Sequence, residues 1–215
     1  MLTHSPRIIT DGLVLCLDAA NRQSYPGSGT VWRDLAGSNN GTLTNGPTFS
    51  SANGGSIVFD GVNDSCDLTY NWPSIFTISL WLFPISAPGG VYSRVISTGN
   101  NDWFEIAINS SNQISYYFAD IGSWQDEVVT LTSNTWTNFV FINNSTNAFI
   151  FQNSLLTHTG TGASATAGTS LRIGGRYTDE EYANIRLSIL QINNRALTPT
   201  EILQNYNATK GRFLL

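Results

Sequence analysis

Apolar and polar positions alternate along most of this chain with a period of two, in short stretches broken by turns. Ile185, Leu187 and Ile189 alternate with Arg186 and Ser188, the pattern of a half-buried strand. Residues 13–17 form a continuous apolar run that ends at Asp18. The segment 76–83 starts with alternation and then turns apolar on both faces, which predicts a central strand covered on both sides. Further strands are predicted at 57–59, 67–70, 91–96, 103–108, 113–118, 128–131, 136–142 and 148–151. Asn39-Asn40-Gly41, Asn45-Gly46-Pro47, Asp60-Gly61 and the polar run 143–147 supply turns between them. The run 157–169, rich in Gly, Ala, Ser and Thr, reads as a long mobile loop.

One segment departs from this period. Thr198-Pro199-Thr200-Glu201 is a capping box with proline at the first helical position. The threonine hydroxyl and the glutamate carboxylate satisfy amides that lack helical partners, and proline has no amide to satisfy. Ile202, Leu203 and Tyr206 then fall on one side of a helix of about two turns. Many short strands followed by one late helix predict an all-β antiparallel sandwich. No internal repeat or domain boundary interrupts it. The organisation expected is an arm over 1–12, a domain over 13–207 and a tail over 208–215.

With 41% hydrophobic residues in 215, the chain can bury a sizeable core. A net charge of −5 argues against binding a phosphate backbone, so no nucleic-acid partner is expected. No apolar run reaches spanning length, so membrane insertion is not expected either. The N-terminus carries no charged region followed by an apolar core, so no secretory signal is expected. Charged residues make up only 12%, replaced by Asn, Ser, Thr and Gly, a surface suited to work outside a cell. Cys16 and Cys66 are expected as buried thiols, with a disulfide between them as the alternative.

An ordered set of motifs resembles a known family. Ile57-Val-Phe-Asp-Gly-Val-Asn-Asp64, Phe76-Thr-Ile-Ser-Leu-Trp81, Trp136-Thr-Asn-Phe-Val-Phe141, Leu171-Arg-Ile-Gly-Gly175 and Asn194-Arg-Ala-Leu-Thr-Pro-Thr-Glu-Ile202 occur in that order. Together they are similar to the concanavalin A-like lectin/glucanase superfamily, in its laminin-G-like branch, over about residues 13–207. Gly12-Leu-Val-Leu-Cys-Leu-Asp-Ala-Ala-Asn21, Ser24-Tyr-Pro-Gly-Ser-Gly29, Asn39-Asn-Gly-Thr-Leu43 and Asn205-Tyr-Asn-Ala-Thr-Lys-Gly-Arg-Phe213 narrow the likeness to laminin-G-like domains of tailed-phage structural proteins. The resemblance implies a jelly-roll sandwich on a virion surface, made in the host cytoplasm. It also implies a viral coat or tail protein as partner, cell-surface glycans as a further one, and a homo-oligomer. Two departures stand out. The family's small residue and acidic pair before the last strand are replaced by Asn184-Ile-Arg-Leu-Ser188. Its Asn-Gly hairpin turn is Asn153-Ser154 here, which asks for a different turn conformation.

Glycoside hydrolysis needs two carboxylates facing one cleft. Asp102 and Glu105 lie three apart and would face opposite ways on a strand, while Asp126-Glu127 and Asp179-Glu180-Glu181 are adjacent residues near turns. His4 and His158 have no nucleophile motif around them, and no Cys/His spacing suggests zinc. No enzymatic activity is expected. Calcium takes loop oxygens, and Asp60 with Asp64 in the turn 60–64, or Asn100-Asn101-Asp102, are the candidates, although the same residue types cap turns. Sugar binding takes aromatic faces beside amides or carboxylates. Trp124 in a turn is the first candidate, Trp103 beside Asn101 and Asp102 the second, with Tyr177 and Tyr182 flanking the acidic turn. Trp32, Trp81 and Trp136 sit in apolar surroundings and are expected in the core. The expected function is a non-enzymatic virion surface protein, capsid or tail decoration, that offers a glycan-binding face. The alternative is a free carbohydrate-binding lectin or adhesion domain.

Overall fold

The computed structural model describes residues 6–99, 103–164, 168–177 and 181–214, with the backbone alone at 127 and 128. In chain order the strands are β1 (Leu13–Asp18), β2 (Val31–Trp32), β3 (Gly41–Thr44), β4 (Thr48–Ser50), β5 (Ser56–Asp60), β6 (Ser65–Thr69), β7 (Phe76–Pro84) and β8 (Tyr92–Ser97). They continue as β9 (Phe104–Asn109), β10 (Gln113–Phe118), β11 (Ser123–Thr130), β12 (Thr137–Asn143), β13 (Asn147–Gln152), β14 (Leu155–Thr161), β15 (Ser170–Ile173) and β16 (Asn184–Asn193). The one α-helix among the described residues, α1 (Pro199–Thr209), follows. The first sheet has the order β14-β13-β12-β7-β16-β5-β4 and the second β11-β10-β9-β8-β15-β6-β3-β2, with all strand pairs antiparallel. This is the expected jelly-roll sandwich.

One edge of β16 serves two strands in turn. β5 pairs with Asn184 to Leu187, and β1 takes over from Ile189 to Asn193. Ser188 marks the changeover, where the register against β7 also shifts. Its hydroxyl donates to the Gly55 carbonyl at 2.6 Å and accepts from Arg212 at 2.9 Å, while its carbonyl accepts the Ala19 amide. The hydroxyl and the carbonyl of this buried residue are therefore both used where the ladder breaks.

The main core lies between the sheets and is aromatic at one end, where Phe76, Phe104, Phe118, Phe141 and Tyr116 meet. Two satellite clusters cover the outer face of the first sheet. One joins Val140, Ile142 and Phe151 to Leu197 and Ile202, and the other joins Trp81, Trp136 and Ile189 to Phe213. β7 is thus covered on both faces, as its pattern predicts: Ile78 and Leu80 face the main core and Trp81 faces the C-terminal segment. Cys16 and Cys66 are free, buried thiols.

The capping box forms as expected, with Thr198 Oγ1 accepting the Glu201 amide and Glu201 accepting the Thr198 amide. Three expectations need correction. Leu203 is exposed rather than packed, and Asn205 is buried in its place, because Asn205 Oδ1 accepts the Ile9 amide at 2.7 Å and fastens the N-terminal arm to the helix. The first part of the expected loop 157–169 belongs to β14, an edge strand whose exposed side chains hide it from a hydrophobicity pattern. The Asn153-Ser154 turn keeps the left-handed conformation of an Asn-Gly turn, with φ of 50° and 69°. Ser154 carries the strain that glycine would avoid.

Candidate functional site

The outer face of the second sheet carries a row of polar and aromatic side chains. Trp124 pairs with Tyr117, Tyr117 with Glu105, Glu105 with Ser97, Ser97 with Arg172 and Arg172 with Asp67. Directly opposed residues share a face, so one line of side chains crosses the sheet from β11 to β6.

A register shift in β8 between Arg94 and Ile96 brings Arg94 beside this row. Arg94 Nε lies 2.8 Å from Glu105 Oε2 and its Nη2 lies 2.7 Å from Glu181 Oε2. Arg176 Nε approaches Glu105 Oε1 at 3.1 Å from the other side. The Arg94 and Glu105 side chains are only 4% and 1% exposed, so their charges have left water and depend on one another. The segment 181–183 closes over them: the Arg94 amide donates to the Glu181 carbonyl, and Ala183 donates to Gly174. Tyr182 lies so close to Gly175 that a Cβ there would meet its ring at 2.6 Å. Only glycine admits that approach.

Three half-buried aromatics cover the ionic set. The guanidinium carbon of Arg94 sits 4.6 Å from the Trp124 ring centre. Tyr92 stacks on Trp124 at 4.4 Å with planes 20° apart, and Tyr117 stands 5.4 Å away on the other strand. The Tyr92 hydroxyl donates to Asp126 at 2.9 Å, and burial, then that carboxylate, push the phenol up to about 12. Next along the face, Arg172 holds Asp67 at 2.7 Å and stacks on Tyr177 at 4.2 Å.

The structure therefore gathers Trp124, Tyr177 and Tyr182 onto one face, although the sequence scatters them. Trp124 stands on strand β11, not in a turn. Trp103 is a correction: it is buried in the aromatic core against Trp72, Phe104 and Phe118, and presents no face to a sugar. Asn100, Asn101, Asp102, Asp179 and Glu180 lie outside the described residues. Asp60 and Asp64 turn onto the backbone of their own loop. Asp60 Oδ1 accepts the Val62 amide and Asp64 Oδ2 accepts the Asp60 amide, and burial raises the Asp64 carboxyl above its usual range. Among the described residues no group of three or more His, Cys, Asp or Glu side chains is gathered for a metal. Sequence reasoning missed Tyr92, Arg94, Glu105 and Tyr117. Their one visible signal is a charge interrupting two apolar strands, Arg94 before Val95-Ile96 and Glu105 between Phe104 and Ile106.

Comparison with known proteins follows the fold. No curated protein matches this sequence. A sialidase of Trypanosoma rangeli, solved with sialic acid, superposes with a TM-score of 0.74 at 13% identity, over 98% of this chain and 36% of that one. The binding domain of Paraclostridial Mosquitocidal Protein 1 gives 0.74 at 18% identity, over 93% and 52%. The botulinum neurotoxin serotype D binding domain gives 0.72 at 13%, over 92% and 52%. The chain spans between about a third and a half of those proteins, and at such identities the likeness is one of fold. A laminin-G family model described as the concanavalin A-like lectin/glucanases superfamily matches residues 53–203, from the turn before β5 into α1. The chain belongs to the concanavalin A-like lectin/glucanases superfamily.

Proposed function

We propose that this chain is a non-enzymatic, lectin-like recognition module displayed on a virion surface, which engages cell-surface glycans through the face around Trp124. The observation that carries the reading is the half-buried aromatic group Tyr92, Trp124 and Tyr117 set over a fixed ionic frame. Rings held in place by Arg94 and by Asp126 offer a surface whose ordering cost is already met before a ligand arrives. Recognition without catalysis fits the carboxylates. Glu105 is held between Arg94 and Arg176, and Asp60 and Asp64 serve their own turn. The fold shared with toxin binding domains supports a recognition role, and the phage-like opening and closing motifs support the virion setting.

A glycan array tests the recognition step. Saturable binding that falls at least about tenfold in Trp124→Ala is expected, and a blank array rejects the reading. Mass spectrometry of purified particles tests the setting, since a decoration protein must be present in them in stoichiometric amount.

A further inference from the structure

β14 lies at the end of the first sheet, bonded along one side to β13 and, among the described residues, to no strand on the other. Of its seven residues only His158 and Gly160 are not exposed. A bulge sets their direction. Leu156 pairs with Phe151 and lines an apolar groove on the outer face of the sheet, beside Phe149 and Pro199. His158, two residues on, would share that face in a regular strand. The register slips by one residue at Thr157, whose hydroxyl donates to the Ile150 carbonyl at 3.1 Å. His158 therefore pairs with Ile150, a core residue, and turns inward. Gly160 has no side chain to bury, so one imidazole anchors the inner face of the strand.

The ring enters the sandwich where β14 adjoins β11, and stands edge-on to Tyr116 at 6.3 Å. A Cβ at Gly160 would come within 2.8 Å of His158 Nε2 and collide with the Tyr116 hydroxyl, so glycine makes room for both. Tyr116 spends that hydroxyl on the Thr161 carbonyl at 3.2 Å, and His158 Nε2 is buried without a hydrogen-bond partner among the described residues. No described counter-charge faces the ring. β13 and the rest of β14 carry no ionisable side chain. β10 offers the Tyr116 phenol, which burial pushes up to about 12 and so keeps neutral, while Tyr117 points to the outer face. On β11, Asp126 is held by Tyr92 on that outer face, and the Glu127 side chain lies outside the described residues.

We propose that β14 is an acid-released edge, which detaches from β13 when His158 is protonated while the rest of the sandwich stays folded. An imidazolium in this position gives up hydration with no described charge to offset the loss. Swinging the ring into water restores the hydration and removes the strand's one inward anchor. A strand with a single neighbour also opens locally at less cost than a central one. Burial holds the closed imidazole below its ordinary value. The open strand then binds the proton more readily, so closure is fully favoured above the ordinary imidazole range and weakens as pH falls below it. Release lifts Leu156 from the outer groove and bares the backbone edge of β13, an apolar, strand-like surface for association in acid. The inference does not depend on the face around Trp124.

The test is amide hydrogen exchange on the whole chain at about pH 7.5 and about pH 5, on either side of the ordinary imidazole value, with rates corrected for intrinsic exchange. Protection of β14 relative to β7 is expected to fall at least about threefold between the two in the parent. His158→Phe keeps a ring and cannot be charged, so the relative protection of its β14 should be the same at both pH values. His158→Gln repeats the comparison with a neutral polar side chain, which covers a packing fault from the phenyl ring. The imidazole signal of His158 should titrate below the ordinary histidine value. The proposal is overturned if β14 loses no more protection in the parent than in both variants, or if β7 and β12 lose protection in equal measure. A His158 midpoint at or above the ordinary value overturns it as well.

Discussion

Trp81 and Phe213 stack at 4.0 Å with their planes 17° apart, joining the middle of the central strand to the last turn of the chain. Tyr206 stacks on the same indole at 5.8 Å, and the indole N–H donates to Thr209 Oγ1 at 2.9 Å. The outer face of β7 is therefore sealed by side chains from the C-terminal segment. Arg212 completes the closure with two bonds of 3.0 Å to Asp18 at the end of β1.

Phe213→Ala should consequently cost far more than a terminal truncation suggests. The ring is buried between Trp81 and Trp136, so its loss removes transfer free energy and leaves a cavity, together about 3–5 kcal/mol. Leu214→Ala, on a residue 89% exposed, should stay within about 0.5 kcal/mol of the parent. Urea denaturation of the two variants checks the contrast.

Ser154→Gly should stabilise the protein. Ser154 holds φ at 69°, where a Cβ costs about 1–2 kcal/mol, and glycine returns part of that gain as unfolded-chain entropy. The net expected is a rise of about 0.5–1 kcal/mol in unfolding free energy. Asn153 is different although its φ is also positive, because Asn153 Oδ1 accepts the Asn138 amide at 2.9 Å. Asn153→Gly should gain less, or lose, in the same assay.

The helix cap should make stability depend on pH in acid. The Arg195 guanidinium, first, and the Thr198 amide, second, lower the Glu201 carboxyl to about 2. A carboxyl whose folded value lies below its unfolded one contributes fully above the ordinary carboxylate range. That contribution is lost as pH falls from there towards about 2. The stability difference between the parent and Glu201→Gln should therefore be constant near neutrality and shrink through that window. A difference that stays flat down to pH about 2 would contradict the assignment.

Both thiols should be silent in the folded protein. Burial pushes Cys66 well up, and pushes Cys16 to about 11, so neither forms appreciable thiolate at neutral pH. Gly41 packs its Cα directly on the Cys66 sulfur, leaving no approach for a reagent. A disulfide-exchange reagent should label neither cysteine natively and both after denaturation in guanidinium. Reaction of one thiol in the native state would place it nearer the surface than this packing allows.

Much of the fold is legible in local pattern, because burial on one face or two writes itself into the order of residues. The double-sided character of β7, the capping box at Thr198 and Glu201, and the core positions of Trp32, Trp81 and Trp136 all follow from neighbours within a few positions. β14 escaped for the complementary reason. An edge strand is held by backbone bonds to β13, and its side chains Leu155, Leu156 and Thr157 stay exposed, so no apolar period announces it.

The candidate sites could not be read in this way. Trp103 and Trp124 both sit among polar neighbours in the sequence, yet one is sealed in the core and the other lies half-buried on the outer face. Which face each takes is decided by strand register, and register is a property of the assembled sheet. Arg94 meets Glu105 because a shift in β8 turns it outward, and Glu181 joins them from a segment that folds back across the sheet. Composition and period dictate a sandwich with a latched end. The sheets' pairing alone decides which polar side chains converge, since convergence across strands needs contacts between residues that are distant in the chain.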